Sequence, residues 1–362
     1  MGGIELHLRD LALALRADGV DARIVTTTRG AEVIDGVPVH RIGVPLLPGA
    51  GVAVTPGLLG RMSAVLRDDG FDVVHAHASV VSPVAYAGAM AGARAGLSSV
   101  ITFHSMLYRS SLLIGASDAL FGWSRRIVLS AVSSVVAAQA VRWMPGRSVG
   151  VLPNAIDTAF WRCAHREASG ADVHFVSAIR LTRKKRPLAL VRAFAEAVRL
   201  VAGSPALRLT IAGEGPDRAA IARLAVELGV SDRVELSGRT SREELRALYA
   251  RAHAFVLPSE RESFGIAALE ARTAGLPVIA MQAGGARDFI TPGINGFLAR
   301  DERELSTSIA RLALDAPLRR FMTNRNLAEP SDYNWNAAVQ AHHALYEAAA
   351  VARDAPTPAS HA

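Results

Sequence analysis

A chain of 362 residues exceeds what one hydrophobic core ordinarily organises, so two domains are expected. Half of the residues are hydrophobic and a fifth are charged, which excludes a disordered chain. The net charge of +7 suits anionic ligands, but the arginines are scattered among acidic residues in stretches such as "REELRALYARA", which excludes nucleic acid as the main partner.

The chain opens with "MGGIELHLRDLALALRADGV", in which Gly2 and Gly3 turn into an amphipathic helix carrying Leu6, Leu8, Leu11, Leu13 and Leu15. A glycine pair of this kind normally follows a strand, and none precedes it. The expectation is an N-terminal domain whose first strand is missing, with an upstream start favoured over a degenerate domain. No basic segment followed by an apolar run marks a secretory signal.

Short apolar runs then alternate with helical patterns: "ARIVTTT", "FDVVHAH", "SSVITFHS" and "SVGVLPN". The most apolar stretch, Ile127 to Val141, is flanked by arginines and too short to span a bilayer. It predicts a buried helix or a strand and helix, with attachment to a membrane surface as the lesser alternative. Residues 153–172 break the rhythm, and strands resume with "VHFVSAIR", "LRLTIAGEG", "DRVELSG", "AHAFVLPS" and "LPVIAMQAGG". The expected architecture is α/β, with two doubly wound Rossmann-like domains facing across a cleft. The boundaries are 1–155 and 156–334, then a helix over 335–352 and a disordered tail over 353–362. The single Cys163 excludes an internal disulfide and points to the reducing cytoplasm, with peripheral contact at the inner membrane face left open.

Three segments carry chemistry. In "LPSERESFGIAALEARTAGLPVIA" a strand from Ala254 to Leu257 leads through a loop to a helix beginning near Phe264 and Gly265. Gly265 admits a ligand close to the backbone, and the amides at Ile266 turn the helix dipole toward an anion. Glu262 before the helix and Glu270 inside it straddle that point, where two carboxylates can grip hydroxyls on either side of a diphosphate. Taken singly, each is as well read as an ordinary surface glutamate. In "SAIRLTRKKRPLALVRAF", Arg180 and Lys185 follow a strand. Lys184 and Lys185 are the only lysines, the other 38 of 40 basic residues being arginine. An ammonium kept here suits a phosphate, with Lys185 the binder and Lys184 solvated. In "LTIAGEGPDR", Gly213, Glu214 and Gly215 form a turn at a strand end, a weak ligand signal and equally a plain turn. His77 and His104 stand at strand ends where open α/β sheets bind ligands, while His75 reads as structural. No carboxylate or cysteine stands at ligand spacing to these histidines, so no metal is expected.

Together these residues resemble the retaining glycosyltransferases of family four, which have the GT-B fold and transfer a sugar from a nucleotide donor. The resemblance runs from "GGIELHLRDLALALRADGV" through "TFHS", "LPNAIDTAFW", "IRLTRKKRP", "IAGEGP" and "ESFGIAALEA" to "GINGFL". It implies that Arg180 and Lys185 clamp the donor diphosphate with the amides at Gly265 and Ile266, and that Glu270 holds the ribose. It also implies that Glu262 and His104 lie at the transferred sugar, with Gly2, Gly3 and His77 near the phosphates and acceptor. Gly213, Glu214, Gly215 and Phe264 complete the expected donor site. The implied co-substrate is a nucleotide-diphosphate sugar, with no metal and no other cofactor, and the acceptor is a small molecule, a glycan or a lipid-linked hydroxyl. The alternatives are an epimerase or phosphorylase on the same fold, or a non-catalytic nucleotide binder.

Overall fold

The computed structural model describes residues 3–43, 57–68, 70–79, 82–107, 112–162, 172–329 and 331–354. Gly2, Cys163 and most of the expected tail lie outside these residues. The chain divides into two units, one made of residues 1–155 with 333–362 and the other of residues 156–332.

In the first unit, β1 (Ile24–Thr26), β2 (Val33–Ile34) and β3 (Val37–Arg41) form one sheet. A parallel sheet follows, β4 (Val73–Ala78), β5 (Ser98–Phe103), β6 (Val128–Ala131) and β7 (Val149–Val151), in that spatial order. Every residue of β5 is buried, the polar Ser98, Ser99 and Thr102 included, because a parallel strand in mid-sheet is covered on both faces. The stretch Ile127 to Val141 resolves into β6 and the helix Ser134–Trp143, started by Ser133, whose Oγ accepts from Val136 N. No helix among the described residues is long and apolar enough to cross a membrane. The opening helix Gly3–Ala17 buries Leu11 and Leu15 against Val339 and Trp335 of the last helix, Trp335–Asp354. The last helix therefore belongs to the core of the first unit, and it continues through Arg353 and Asp354, where the sequence pattern suggested a tail. Among the described residues no strand precedes the opening helix, and the two sheets do not pair with each other.

The second unit is a single six-stranded parallel sheet. Its strands are β8 (Asp172–Ala178), β9 (Ala206–Ala212), β10 (Val234–Gly238), β11 (Ala254–Leu257), β12 (Val278–Met281) and β13 (Gly296–Ala299). Their spatial order is β10-β9-β8-β11-β12-β13. The chain winds outward from β8 in one direction and then, from β11, in the other. Between β8 and β11 the connections leave to opposite sides, and a crevice opens at the carboxyl ends of those strands. This is the place in the unit that the winding itself prepares for a ligand.

Candidate functional site

Two loops line that crevice, one after β8 and one after β11. The first carries Arg180, runs through a short 3-10 turn over Arg183–Lys185 and enters the helix Pro187–Leu200. Proline suits that helix start because its missing N–H would be unpaired there in any case. The second loop carries Ser259, Glu260 and Glu262 into the helix Ile266–Thr273. Gly265 caps this helix with φ 95°, a left-handed conformation that glycine adopts without the clash of a Cβ. The helix thus begins one residue beyond Gly265, leaving its first amides directed at the crevice mouth.

Among the contacts that bring the two loops together, the ion pair of Lys185 with Glu262 stands at the crevice. Lys185 Nζ donates to Glu262 Oε2 at 2.6 Å, with the lysine about a quarter exposed and the carboxylate almost buried. Ser259 Oγ donates to the Lys185 carbonyl at 3.2 Å, fixing the backbone beside it. On its far side Glu262 is held by its own carbonyl, which accepts from Gly285 N at 2.8 Å. An ammonium has three donors, so Lys185 keeps two for an incoming anion after bonding Glu262. Arg180 is exposed, and its side chain makes no ion pair among the described residues. Lys184 is exposed as well.

Gly213 and Gly215 serve the loop that carries Arg180. A Cβ on Gly213 would stand 2.0 Å from the Ile179 carbonyl oxygen, and one on Gly215 would stand 2.3 Å from that of Leu181. The backbones pair directly: Leu181 N donates to Glu214 O at 2.9 Å and Asp217 N to Leu181 O at 3.0 Å. The glycines therefore bring one loop against another, and Glu214 contributes its carbonyl to that packing while its side chain is exposed. Phe264 is turned into the core, its ring 5.5 Å from that of Phe289, so its side chain anchors the loop and leaves only its backbone at the crevice. Glu270 lies half-buried one turn into its helix, and its charge joins burial in raising the pKa of Tyr249, whose hydroxyl donates to Ala267 O at 3.4 Å.

In the first unit the strand-end histidines form a larger assembly than the sequence suggested. His77 Nδ1 and His104 Nε2 share a hydrogen bond of 2.9 Å, and His77 stacks on His75 with centroids 4.2 Å apart. His75 bonds Tyr346 at 3.1 Å and Thr102 at 2.6 Å. His7 from the opening helix stacks on Trp335 at 5.3 Å and stands 6.0 Å from His104, while His342 stands 5.4 Å from His75. Burial, reinforced by repulsion among the rings, lowers the pKa of His7 to about 4 and of His104 to about 3, and it lowers His75, His77 and His342 too. All five rings are neutral at pH 7. His7 and His342 were not read as part of this site because they come from the two ends of the chain.

The buried histidines make the stability of the first unit depend on pH. The unfolded histidines take up protons near pH 6.5, whereas folded His7 and His104, with pKa values lowered to about 4 and about 3, stay neutral well below that. Stability is therefore complete above about pH 7 and falls as the pH drops from 6.5, by about 1.4 kcal/mol per pH unit for each such histidine. Thermal melts between pH 7.5 and 5, above the range where carboxylates titrate, are expected to show a steep decline. A melting temperature flat across that window would contradict the buried, neutral cluster.

Among the described residues, no group of three or more His, Cys, Asp or Glu side chains is arranged to hold a metal ion. Comparison with known proteins extends this geometry. The model of the Glycosyltransferase Family 4 matches residues 1–160, and that of Glycosyl transferases group 1 matches residues 165–327. The chain is 28% identical to the D-inositol 3-phosphate glycosyltransferase of Streptosporangium roseum, over 93% of this chain and 86% of that protein. It is 29% identical to the protein of the same name from Frankia alni, over 96% of each chain. Among solved structures it resembles Anabaena HepE in complex with UDP, with a TM-score of 0.77, 20% identity and 96% of each chain covered. It also resembles the lipopolysaccharide outer core galactosyltransferase WaaB, with a TM-score of 0.71, 18% identity and 96% of each chain covered. With these two family models taking its two halves in turn, the chain belongs to glycosyltransferase family 4, its second half being a glycosyl transferases group 1 domain, and it is a glycosyltransferase.

Proposed function

We propose that this enzyme transfers a sugar from a nucleotide-diphosphate donor to an acceptor hydroxyl with retention of the anomeric configuration. The observation that carries the reading is the Lys185–Glu262 pair standing beside a helix start at the point where the winding of the sheet reverses. A diphosphate in that crevice would meet the free donors of Lys185, the guanidinium of Arg180 and the amides at Ile266, while Glu270 faces the ribose. The UDP bound in the neighbouring HepE structure supports a nucleotide donor of this kind.

In the reaction, the bond from the anomeric carbon to the phosphate oxygen breaks and its electron pair goes to the diphosphate. The acceptor oxygen bonds to the same face of the carbon, and its proton passes to the departing phosphate oxygen. Lys185, Arg180 and the helix dipole stabilise the charge that develops on the leaving group, a task for fixed cations and oriented dipoles. Glu262 stabilises the positive charge that grows on the sugar. From the first unit we assign His104 to the transferred sugar and His77 to the phosphates or acceptor, since neutral rings can hydrogen-bond hydroxyls without attracting stray anions. The acceptor to try first is inositol 3-phosphate, named in the relatives' descriptions.

The test is a screen of nucleotide sugars with EDTA present, read first as a rise in melting temperature and then as transfer to an acceptor. Binding to the folded state alone raises the melting temperature by mass action, by about 2.7 kcal/mol of stability at a hundred times Kd. At least one donor is expected to stabilise the protein and to be consumed only when acceptor is present. Consumption without acceptor would identify an epimerase or hydrolase, a requirement for inorganic phosphate a phosphorylase, and binding without turnover a nucleotide-binding protein.

A further inference from the structure

Between Lys185 and the proline that starts the next helix stands Arg186, in the left-handed conformation with φ 56° and ψ 42°. A residue before proline favours extended backbone, and a left-handed residue favours glycine, so this position is strained for arginine twice over. Its side chain is what makes the residue worth having there. One guanidinium nitrogen donates to the Glu260 carboxylate, and another donates to Glu302 Oε1 at 3.0 Å. Glu302, at the start of the helix Glu302–Leu314, is also gripped by Arg192 at 3.1 Å, and these two arginines hold its carboxyl below the usual range. Arg186 thus ties the turn before Pro187 to the loop after β11, two residues from Glu262, and to a third element beyond it.

We propose that Arg186 is a positioning residue: its bridge to Glu260 and Glu302 holds the backbone that aims the Lys185 ammonium at Glu262 and at the donor phosphates. The inference rests on the donor site proposed above. Two attachments flank Lys185, Ser259 on its own carbonyl and the Arg186 bridge on the next residue, and together they fix where its Cα and hence its Nζ can stand. Glycine would relieve the backbone at position 186 and release the bridge. A merely structural role would be satisfied by that exchange; a positioning role would not.

The test measures UDP, GDP and ADP binding by calorimetry, donor KM and kcat, and melting temperature, for the wild type, Arg186→Gly, Arg186→Lys and Glu260→Gln. Arg186→Gly is expected to melt within a few degrees of the wild type. Its affinity for the nucleoside diphosphate that the wild type binds is expected to fall about tenfold, the worth of roughly one well-placed hydrogen bond, with kcat reduced as well. Arg186→Lys restores part of the loss, and Glu260→Gln reproduces part of it, with the double variant Arg186→Gly/Glu260→Gln no worse than Arg186→Gly alone. Wild-type affinity and kcat in Arg186→Gly would overturn the proposal while leaving the donor site standing. If the wild type binds none of the three diphosphates and consumes no donor, the donor site itself is refuted and the proposal with it.

Discussion

Lys185→Ala is expected to lower transfer by about 10²–10³-fold and to weaken nucleoside diphosphate binding in parallel, because it removes a cation from the charge developing on the leaving group. The loss is chemical rather than a loss of fold. Glu262 would be left without its partner, which costs about 2 kcal/mol for a hydrogen bond to a charged group. That is a fraction of the 5–15 kcal/mol by which domains are ordinarily stable, so the variant stays folded and its melting temperature reports the difference. Lys185→Arg should restore little, since a planar guanidinium on a different stem cannot place two donors where the ammonium does. Unchanged transfer in folded Lys185→Ala would remove this residue from the site.

Glu262→Gln separates the two members of the pair. The amide keeps the size of the carboxylate but not its charge, so Lys185 loses its ion partner and its ammonium is freed for phosphate. Binding of the nucleoside diphosphate is therefore expected to be equal to or tighter than in the wild type, while kcat falls about 10²-fold because the negative charge facing the sugar is gone. The two variants differ in sign on affinity and agree in sign on turnover. Steady-state kinetics with direct binding measurements checks this. A Glu262→Gln protein that loses affinity as Lys185→Ala does, with kcat intact, would make the carboxylate a support for the lysine and nothing more.

Much of the second unit was legible because its strands are buried on both faces and read as short apolar runs, from "VHFVSA" to "VIAM". Lys185 and Glu262 were legible for different reasons. The lysine stands out in a chain that otherwise uses only arginine, and the carboxylate stands just before a glycine-led helix. What stayed hidden depends on partners distant in sequence. Arg186 reaches Glu260 and Glu302 from 74 and 116 residues away, and its left-handed backbone carries no composition signal because the residue is not glycine. His7 and His342 join the strand-end histidines only because the last helix packs on the first. The hairpin of β2 and β3 was missed although its signal was present. Asp35 and Gly36, with φ 50° and 84°, form the two-residue turn that an Asp-Gly pair favours between strands. β13 lies at the sheet edge, begins on a glycine and leaves Phe297 and Leu298 only partly buried, so it lacked the signal of an inner strand such as "VIAM".

Transfer with retention from a nucleotide-diphosphate sugar, driven by fixed protein cations, leaves its signature in the product. The donor found in the screen, incubated with its acceptor in EDTA and followed by proton NMR at the anomeric centre, tests it most directly. The expected product has the same anomeric configuration as the donor and is released together with the nucleoside diphosphate at a rate that EDTA does not change. A product of inverted configuration, or a reaction abolished by EDTA and restored by a divalent cation, would contradict it.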